Sequence, residues 1–369
     1  MKPEKFLLDL EQAGFGPYMG VPCSLFKHLI NYIEDSNSYQ YFAASSEGEA
    51  MGLAGGFALS TKMPVVLMQN DGYGNAVNPL SSLQMLYGLP CLLLVSWRGE
   101  PGKKDAPQHE LMGETLLDFF KIFKIPYKIL DPDMDDFFNI IQEAKNHLKT
   151  TKTPYGLVIK KGYFTEYLQK EKQVINNSFE IRGPYLQALN KLKTDNDLFI
   201  GTTGFSGREM HVLLDHNGKF YMMGSMGCAP SIGLGVALDN PDKKVFVIDG
   251  DGALLMKMGS LATVGNYGPK NLIHICFDNS QYESTGGQKT SAHVVDFSIV
   301  AAACGYLSTS NIDNIADFIM QIEKCLTANG PHFIHIKIGA GTLPNLPRPQ
   351  ESAQEMRDNF INFLTRNIS

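Results

Sequence analysis

Two apolar stretches in the second half of the sequence end in residues that suit a metal ion and a phosphate group. The first leads into Gly250-Asp251-Gly252, and the second ends just before Asn279. In a parallel sheet the carboxyl ends of neighbouring strands open into one crevice, so Asp251 and Asn279 can converge. A carboxylate and an amide oxygen suit a hard cation such as Mg²⁺, and glycine lets the backbone approach a phosphate. The alternative is a pair of ordinary strand-to-helix turns, which are rich in Gly, Asp and Asn.

A glutamate in the first half leads a predicted helix of small residues. The segment is Glu47-Gly48-Glu49-Ala50-Met51-Gly52-Leu53-Ala54-Gly55-Gly56-Phe57. A carboxylate in the first helical turn is commonly solvated and stabilised by the helix dipole. That explanation suits Glu49, and it is the alternative to a chemical role for Glu47.

Together these segments resemble the thiamine-diphosphate-dependent enzymes, in which a Gly-Asp-Gly motif is followed at this spacing by Asn. The resemblance implies that thiamine diphosphate and Mg²⁺ are the cofactors. It implies three metal ligands, which are the side chains of Asp251 and Asn279 and the backbone carbonyl of Gln281. It also implies that Glu47 hydrogen-bonds the pyrimidine N1′ atom, so that the cofactor's own 4′-imino group removes the thiazolium proton.

Two further segments resemble parts of the same cofactor site. Gly224-Ser225-Met226-Gly227 is similar to the segment beneath the bent cofactor, where Met226 would separate the two rings. Alternatively, Met226 is an ordinary core side chain. The segment from Thr202 to Ser206 follows a predicted strand, where hydroxyls and amides suit a diphosphate. Besides Glu47, the implied cofactor-binding residues are Thr203, Gly204, Ser206, Gly224, Ser225, Met226, Gly250, Asp251, Gly252, Ala253, Asn279 and Gln281.

Two first-half segments narrow the resemblance to one group of decarboxylases. Residues 69–80 and 97–109 resemble the phosphonopyruvate decarboxylases, with the sulfopyruvate decarboxylases close behind. The resemblance implies a 2-oxoacid substrate with an anionic tail. The side chains available to relay protons are His109 and, with ordered water, Tyr282, and the sequence does not decide between them. The cationic side chains of the second segment suit a carboxylate and a phosphonate; alternatively, the segment is a solvated loop. The implied substrate-binding residues are Asn70, Asp71, Arg98, Lys103 and His109.

Three residues depart from the pattern of that group. Asp71 stands where a small hydroxyl residue is expected, Tyr73 where an aliphatic one is expected, and Tyr282 where histidine is frequent. The Asp71 carboxylate would either repel a dianionic tail or orient Arg98 or a lysine. These departures leave the cofactor chemistry unchanged and the choice of substrate open.

Short apolar runs alternate with helical patterns along most of the chain, which predicts an α/β fold with parallel sheets covered on both faces. The predicted strands are Tyr39–Ala43, Val65–Gln69, Cys91–Val95, Tyr155–Lys160, Leu198–Gly201, Lys244–Asp249, Leu272–Asp278 and His332–Ile338. The predicted helices are Glu47–Ser60, Pro79–Tyr87, Glu110–Phe123, Met134–Leu148, Ser206–Leu213, Ala229–Leu238, Ala253–Asn266, Ile312–Leu326 and Glu351–Leu364.

A polar stretch without a clear period, Gly162 to Gly183, predicts a linker. We therefore expect two doubly wound domains at 1–165 and 184–369, joined by residues 166–183. The glutamate domain precedes the metal domain, as in the thiamine-dependent decarboxylases, and the short linker leaves no space for the middle domain of the longer members. Both halves carry a Gly- and Ala-rich helix, at 48–58 and 227–237, which fits either duplication or ordinary helix packing.

Composition excludes several other classes of protein. The 369 residues carry a net charge of -6 with no basic cluster, so bulk attraction to nucleic acid or anionic lipid is not expected. Six separated cysteines without metal-ligand spacing predict buried thiols in a reducing compartment. The apolar run Leu89 to Val95 is too short to span a membrane, and the amino terminus lacks a signal-peptide core. We expect a cytoplasmic protein.

Two other functions are compatible with a thiamine-type fold, namely carboligation and regulation without catalysis. Carboligation, as in acetolactate synthases, is disfavoured because those enzymes are longer and carry the extra domain. A regulatory module that has lost catalysis is disfavoured because Glu47, Asp251 and Asn279 are all present. The family resemblance also implies a homodimer or larger assembly, in which two subunits complete each site.

Overall fold

The computed structural model describes residues 1–36, 38–133, 136–170, 178–347 and 350–366. The chain divides into two compact units. The first unit is Met1–Gln173 with Thr285–Gln288, and the second is Val174–Ser284 with Lys289–Ser369. Residues 171–177 of the predicted linker lie outside the described residues. The domain limits expected from the sequence stay a prediction.

The first unit is built on a parallel sheet of six strands in the order β2-β1-β3-β4-β6-β5. Its strands are β1 (Phe15–Gly20), β2 (Tyr41–Ala43), β3 (Met63–Gln69), β4 (Leu92–Ser96), β5 (Tyr127–Leu130) and β6 (Tyr155–Ile159). Its helices are α1 (Pro3–Gln12), α2 (Lys27–Asp35), α3 (Glu47–Leu59), α4 (Tyr73–Pro79), α5 (Glu110–Ile122) and α6 (Phe137–Thr151). Val65 and Leu67 of β3 pack in one apolar cluster, and Val66 and Met68 pack in another. Both faces of the sheet are therefore buried, as in a doubly wound fold.

The second unit has its own parallel sheet in the order β13-β14-β10-β9-β7-β8. Its strands are β7 (Leu198–Gly201), β8 (Lys219–Tyr221), β9 (Val245–Gly250), β10 (Leu272–Asp278), β13 (Ser308–Ile312) and β14 (His332–Lys337). Strands β11 (Gln281–Tyr282) and β12 (Gln288–Lys289) pair with each other in a separate two-stranded ribbon. Its helices are α7 (Arg182–Leu192), α8 (Gly204–Leu213), α9 (Ala229–Asp239), α10 (Asp251–Met256), α11 (Ser260–Tyr267), α12 (Phe297–Ala303), α13 (Ile315–Thr327) and α14 (Ala353–Arg366).

The two six-stranded sheets share one strand order. If the ribbon is left out and the strands of each sheet are numbered along the chain, both sheets read 2-1-3-4-6-5. The Gly- and Ala-rich helices α3 and α9 both follow the second strand of their sheet. Identical topology with the same helix at the same place favours duplication over coincidental helix packing. The predicted fold class, two doubly wound parallel sheets, is confirmed.

Several predicted elements need correction. The helix predicted over Ala253–Asn266 is two helices, because the backbone of Lys257 leaves the helical region after α10. The helix predicted over Pro79–Tyr87 is the end of α4 followed by a π-helix, Leu80–Met85, since Pro79 has no N–H to continue the α-helical ladder. The start of the predicted helix Met134–Leu148 lies partly outside the described residues. Strands β1, β5, β8 and β13 were not predicted.

The sequence predicts that the cysteines are buried thiols and that no segment spans a membrane. All six cysteines are free thiols; four are buried, whereas Cys228 and Cys304 are half-buried. Among the helices in the described ranges, none combines the length and apolar character that crossing a bilayer requires.

Helix α9 packs closely on β9 because it carries glycine at the contact. A Cβ atom added to Gly233 would lie 2.2 Å from Val247 Cγ2, whereas one added to Gly235 would meet nothing within 4 Å. Gly233 therefore sets the distance between the helix and the sheet, and Gly235 does not.

We predict that Gly233→Ala lowers the free energy of unfolding by about 1 to 3 kcal/mol through overpacking. Gly235→Ala, the matched control on the same helix, should be neutral or stabilising by about 0.5 to 1 kcal/mol, because alanine favours helix. Urea unfolding of the full chain measures both. Equal stability of the two variants would contradict the close approach of α9 to β9.

Candidate active site

The segments predicted to bind cofactor in the second unit all follow carboxyl ends of neighbouring strands. Residues 202–206 follow β7, residues 224–227 follow β8, residues 250–253 include the end of β9, and Asn279 follows β10. Strands β8, β7, β9 and β10 are consecutive neighbours in the parallel sheet. Strand β7 is where the chain changes direction across the sheet, and this is the place where doubly wound folds bind ligands.

Asp251 is the first residue of α10, and its carboxylate is buried, with 4% of the residue exposed. Its Oδ2 atom accepts a hydrogen bond of 2.6 Å from Thr290 Oγ1. No Lys, Arg or His within the described ranges forms an ion pair with it. Burial, followed by the nearby Asp278 carboxylate, raises the pKa of Asp251 to about 7. A cation would relieve this cost, so the residue fits the predicted metal ligand.

Asn279 lies in the turn after β10, with its amide held at both ends. Its Nδ2 group donates to Glu283 Oε2 at 3.3 Å, and its Oδ1 atom accepts from the backbone N–H of Gln281 at 3.1 Å. A carbonyl oxygen has two lone pairs, so Oδ1 keeps one for a further partner. Asp278 immediately precedes Asn279 in the chain. Burial alone would raise the pKa of the Asp278 carboxyl, but hydrogen bonds from His335 and Lys337 lower this pKa to about 2.

The described residues hold no group of three or more His, Cys, Asp or Glu side chains arranged for a metal ion. The predicted ligand set does not need one, because it combines a single carboxylate with the Asn279 amide and the Gln281 carbonyl. Such an oxygen set suits Mg²⁺, which usually completes its octahedron with substrate phosphates and water.

The amino ends of α8 and α10 form a cradle that fits an anion. Thr203 precedes α8 and Gly250 precedes α10, and neither helix start is capped by a described side chain. Ser206 of α8 reaches this edge, with its Oγ atom 3.7 Å from the position of a Cβ added to Gly250. The Thr202 hydroxyl is buried and has no partner among the described residues. Free backbone N–H groups at two helix starts suit a diphosphate.

Two more predicted segments lie against α10. Gly227 has a positive φ of 84°, and a Cβ there would approach the Ala253 carbonyl oxygen to 2.9 Å. This contact brings the segment 224–227, including half-buried Met226, beside the start of α10. The Tyr282 ring is buried and lies against Gly252, where an added Cβ would be 2.6 Å from Cε1.

Glu47 in the first unit is a buried carboxylate at the start of α3, with 5% of the residue exposed. Burial raises its pKa, and the hydrogen bond from Asn75 Nδ2 to Oε2 at 2.8 Å opposes part of that shift. Gly72 lies so close that an added Cβ would be 2.1 Å from Glu47 Oε1. Glu49, by contrast, is exposed and accepts from the Ser45 backbone N–H at 2.6 Å.

Asp71 and His109 lie in the loops after the adjacent strands β3 and β4, and they hydrogen-bond to each other. His109 Nδ1 is 2.9 Å from Asp71 Oδ2, which also accepts from Gln69 Nε2 at 2.7 Å. His109 is buried, with 8% exposed. Tyr73, another departure from the resembled group, is a fully buried core residue packed on the aromatic side chains of α5.

Arg98 is already paired with a carboxylate of its own loop. Its Nε and Nη2 groups donate to Asp105 at 2.7 and 2.5 Å, and this pairing lowers the pKa of Asp105. Asn70 holds the backbone of Arg98 by accepting from its N–H at 3.0 Å and donating to its carbonyl at 2.7 Å. Lys103 and Lys104 are exposed. The loop therefore presents fewer unpaired cations than its sequence indicates.

Sequence reasoning missed the partners of the predicted residues. Asn75 lies within residues 69–80, which resemble the phosphonopyruvate decarboxylases, but the sequence alone does not indicate its hydrogen bond to Glu47. Thr290 and Glu283 belong to no recognisable sequence motif. Their separation along the chain from the predicted metal ligands depends only on the course of the loop. Each of these side chains holds one predicted group in place.

Comparisons with known proteins identify the family of this chain. Residues 4–122 match the family model of the thiamine pyrophosphate enzyme N-terminal TPP binding domain, and residues 203–336 match that of the C-terminal TPP binding domain. The chain is 35% identical to a phosphonopyruvate decarboxylase of Streptomyces viridochromogenes, over 96% of this chain and 93% of that protein. It is 37% identical to a phosphonopyruvate decarboxylase of Streptomyces hygroscopicus, over 97% of this chain and 93% of that protein. It is 28% identical to a sulfopyruvate decarboxylase of Methanosarcina acetivorans, over 96% of both chains.

The two domain models cover the two units in the order expected from the sequence, and the similarity to the Streptomyces enzymes extends over nearly the whole length. The chain therefore belongs to the thiamine pyrophosphate enzymes and, among them, to the phosphonopyruvate decarboxylase family.

Proposed function

We propose that this protein catalyses the decarboxylation of 3-phosphonopyruvate to phosphonoacetaldehyde and CO₂, using thiamine diphosphate and Mg²⁺. The observation that carries the proposal is the buried Glu47 carboxylate, held by Asn75, in a chain that also buries Asp251 beside an uncapped helix start. A protein that only binds a ligand has no need of a desolvated proton-exchanging carboxylate. The identity to phosphonopyruvate decarboxylases supplies the substrate class.

Thiamine diphosphate, when bound, supplies a carbon nucleophile and an electron sink for the pair of electrons left by CO₂. Asp251, Asn279 and the carbonyl of Gln281 would hold Mg²⁺. The uncapped starts of α8 and α10, with Ser206, would hold the diphosphate oxygens. Met226 and the Gly224 carbonyl would set the bend between the cofactor rings.

Glu47 would share a proton with the pyrimidine ring nitrogen. Because burial raises the pKa of this carboxyl, its protonated form costs less than it would in water. The hydrogen bond from Asn75 keeps one carboxyl oxygen fixed, so the other is the one available to the ring. A carboxyl with a raised pKa and one fixed oxygen suits proton exchange with a ring nitrogen.

The substrate's anionic groups would lie at the loops after β3 and β4. We propose that Asn70, Arg98, Lys103 and His109 contact these groups, and that Asp71 completes the substrate site beside His109. Because Asp105 occupies two donors of Arg98, the tail would meet a partly neutralised guanidinium. Together with the Asp71 carboxylate, this favours sulfopyruvate as the second candidate substrate, since a sulfonate carries one charge fewer than a phosphonate dianion.

The active protein, we infer, is a homodimer or a larger assembly. In the proposed site, Glu47 of one subunit and Asp251 of another act on one cofactor. Large apolar side chains in the first unit support an interface, because Leu59, Leu86 and Tyr87 are each 69% or more exposed.

Glu47→Gln should reduce kcat by about 100-fold or more while cofactor affinity changes only a few-fold, because an amide cannot exchange the proton. Steady-state CO₂ release and equilibrium binding of thiamine diphosphate measure the two effects. Glu49→Gln is the matched control on the same helical turn and should keep the wild-type rate. Full activity of the Glu47 variant would remove this residue from the mechanism.

Asp251→Ala should abolish the Mg²⁺-dependent part of thiamine diphosphate binding, because the cation would lose its carboxylate ligand. Isothermal titration with Mg²⁺ and with chelator separates the two contributions. Asp242→Ala removes an exposed carboxylate before β9 and should bind as the wild type does. Equally tight binding of the cofactor to the Asp251 variant in chelator would refute the ligand assignment.

Phosphonopyruvate should exceed pyruvate in kcat/KM by about a thousandfold or more, with sulfopyruvate between them, because a methyl group cannot make charge-assisted contacts. If Arg98 touches the tail, Arg98→Ala lowers the preference for phosphonopyruvate, whereas Asp105→Asn keeps it. Both variants break the same ion pair, but only the first removes the cation. Comparable efficiency on pyruvate and phosphonopyruvate, or a preference for sulfopyruvate, would overturn the proposed substrate.

A further inference from the structure

We propose that Asp71 is a positioning residue, which acts through His109 and fixes the ring so that Nε2 is the atom that transfers protons. This inference rests on the proposed function and deepens it. Asp71 departs from the small hydroxyl expected in its group, and its carboxylate lies 2.9 Å from His109 Nδ1. An ionised carboxylate only accepts hydrogen bonds, so Nδ1 carries the proton in this contact.

The Asp71 contact decides the tautomer because it is the short one. Amide nitrogens lie 3.5 Å from both ring nitrogens of His109, Gln108 Nε2 from Nε2 and Gln69 Nε2 from Nδ1, so these two contacts oppose each other. The neutral ring therefore has an N–H at Nδ1, facing the carboxylate, and a lone pair at Nε2. Gln69 Nε2 donates to the same Asp71 oxygen at 2.7 Å, which holds the carboxylate in place.

The pair lies beside the proposed proton-exchanging glutamate. Gly72, the residue after Asp71, lies against the Glu47 carboxylate, and the charge of Asp71 contributes to the raised pKa of Glu47. Arg98, a candidate cation of the loop after β4, is paired with Asp105 in the same loop. The hydrogen-bonded partner of the Asp71 carboxylate is therefore the imidazole, whereas Asp105 occupies the guanidinium.

His109 would carry one proton from the solvent to the product. Nε2 takes a proton from water and leaves a hydroxide ion in the solvent, and the resulting imidazolium is stabilised by the Asp71 carboxylate. After CO₂ leaves, the Nε2–H bond breaks and a C–H bond forms on the carbon that carried the carboxyl group. The ring returns to its neutral form with the proton still on Nδ1. Each turnover therefore consumes one water molecule, whose hydroxide combines with the released CO₂ as bicarbonate, and no oxidant or reductant is needed.

The tautomer is tested directly by long-range ¹H–¹⁵N correlation spectra of protein labelled with ¹⁵N-histidine, at about pH 8, where histidines are generally neutral. His109→Gln identifies the His109 signals. Wild-type His109 should be protonated at Nδ1. In Asp71→Ala the fraction of the Nδ1-protonated form should fall, since the carboxylate that accepts the hydrogen bond from Nδ1 is gone. An unprotonated Nδ1 in the wild type, or an unchanged tautomer in the variant, would overturn the proposal.

Kinetics provide the second readout. Asp71→Ala should lower kcat by about 10- to 100-fold with KM within about twofold, and the double variant with His109→Gln should be no slower than His109→Gln alone. Losses that multiply would show that Asp71 acts independently of His109. Asp118→Ala, which removes an exposed carboxylate paired with Lys121 on α5, should leave both readouts unchanged.

Asp71→Asn replaces Asp71→Ala in both tests if the alanine variant fails to fold. Its carbonyl oxygen can still accept from Nδ1, so the tautomer should be kept, while kcat should still fall because the charge that stabilises imidazolium is gone. Full kcat in this variant would contradict the proposal. The spectra need neither cofactor nor substrate, so their failure is distinct from a failure of the proposed function.

Discussion

The burial of two carboxylates is the constraint on which the proposed chemistry of this protein depends. Glu47 and Asp251 each stand at the start of a helix, almost fully removed from water, and no ion pair joins either of them to a described cationic side chain. A carboxylate desolvated in this way must either hold a proton or meet a cation from outside the chain. Asn75 holds one oxygen of Glu47, and Thr290 holds one oxygen of Asp251. Proton exchange suits the first site and Mg²⁺ suits the second.

The parallel sheets explain why such residues can be gathered at all. Each strand delivers the residues that follow it to the same edge, so positions far apart in sequence meet after β7, β8, β9 and β10. The same strand order in the first unit places Glu47, Asp71 and His109 after β2, β3 and β4. The same topology thus presents different side chains at the edge of each sheet, which are the candidates for proton exchange in the first unit and for metal binding in the second.

The sequence predicted the sheet interiors and the site segments because both have strong local signals. Apolar runs such as Leu272–Asp278 are buried along their whole length, and the glycine-flanked Asp251 has few alternative explanations. Edge strands β8 and β13 were missed since Lys219–Tyr221 is short and Ser308–Ile312 is polar, and β1 was missed because Gly16 and Pro17 are typical of a turn. The pairing of Asp71 with His109, and of Arg98 with Asp105, depends on how two loops fold back on each other, which no local pattern encodes.

Product analysis tests the proposed decarboxylase activity most directly. The purified protein is incubated with 3-phosphonopyruvate in the presence and absence of thiamine diphosphate and Mg²⁺, and CO₂ and organic products are quantified together. We predict one phosphonoacetaldehyde for each CO₂, formed only when both cofactors are present. A longer ketol in place of the aldehyde would indicate carboligation, and the absence of CO₂ with both cofactors bound would contradict the assignment of a decarboxylase.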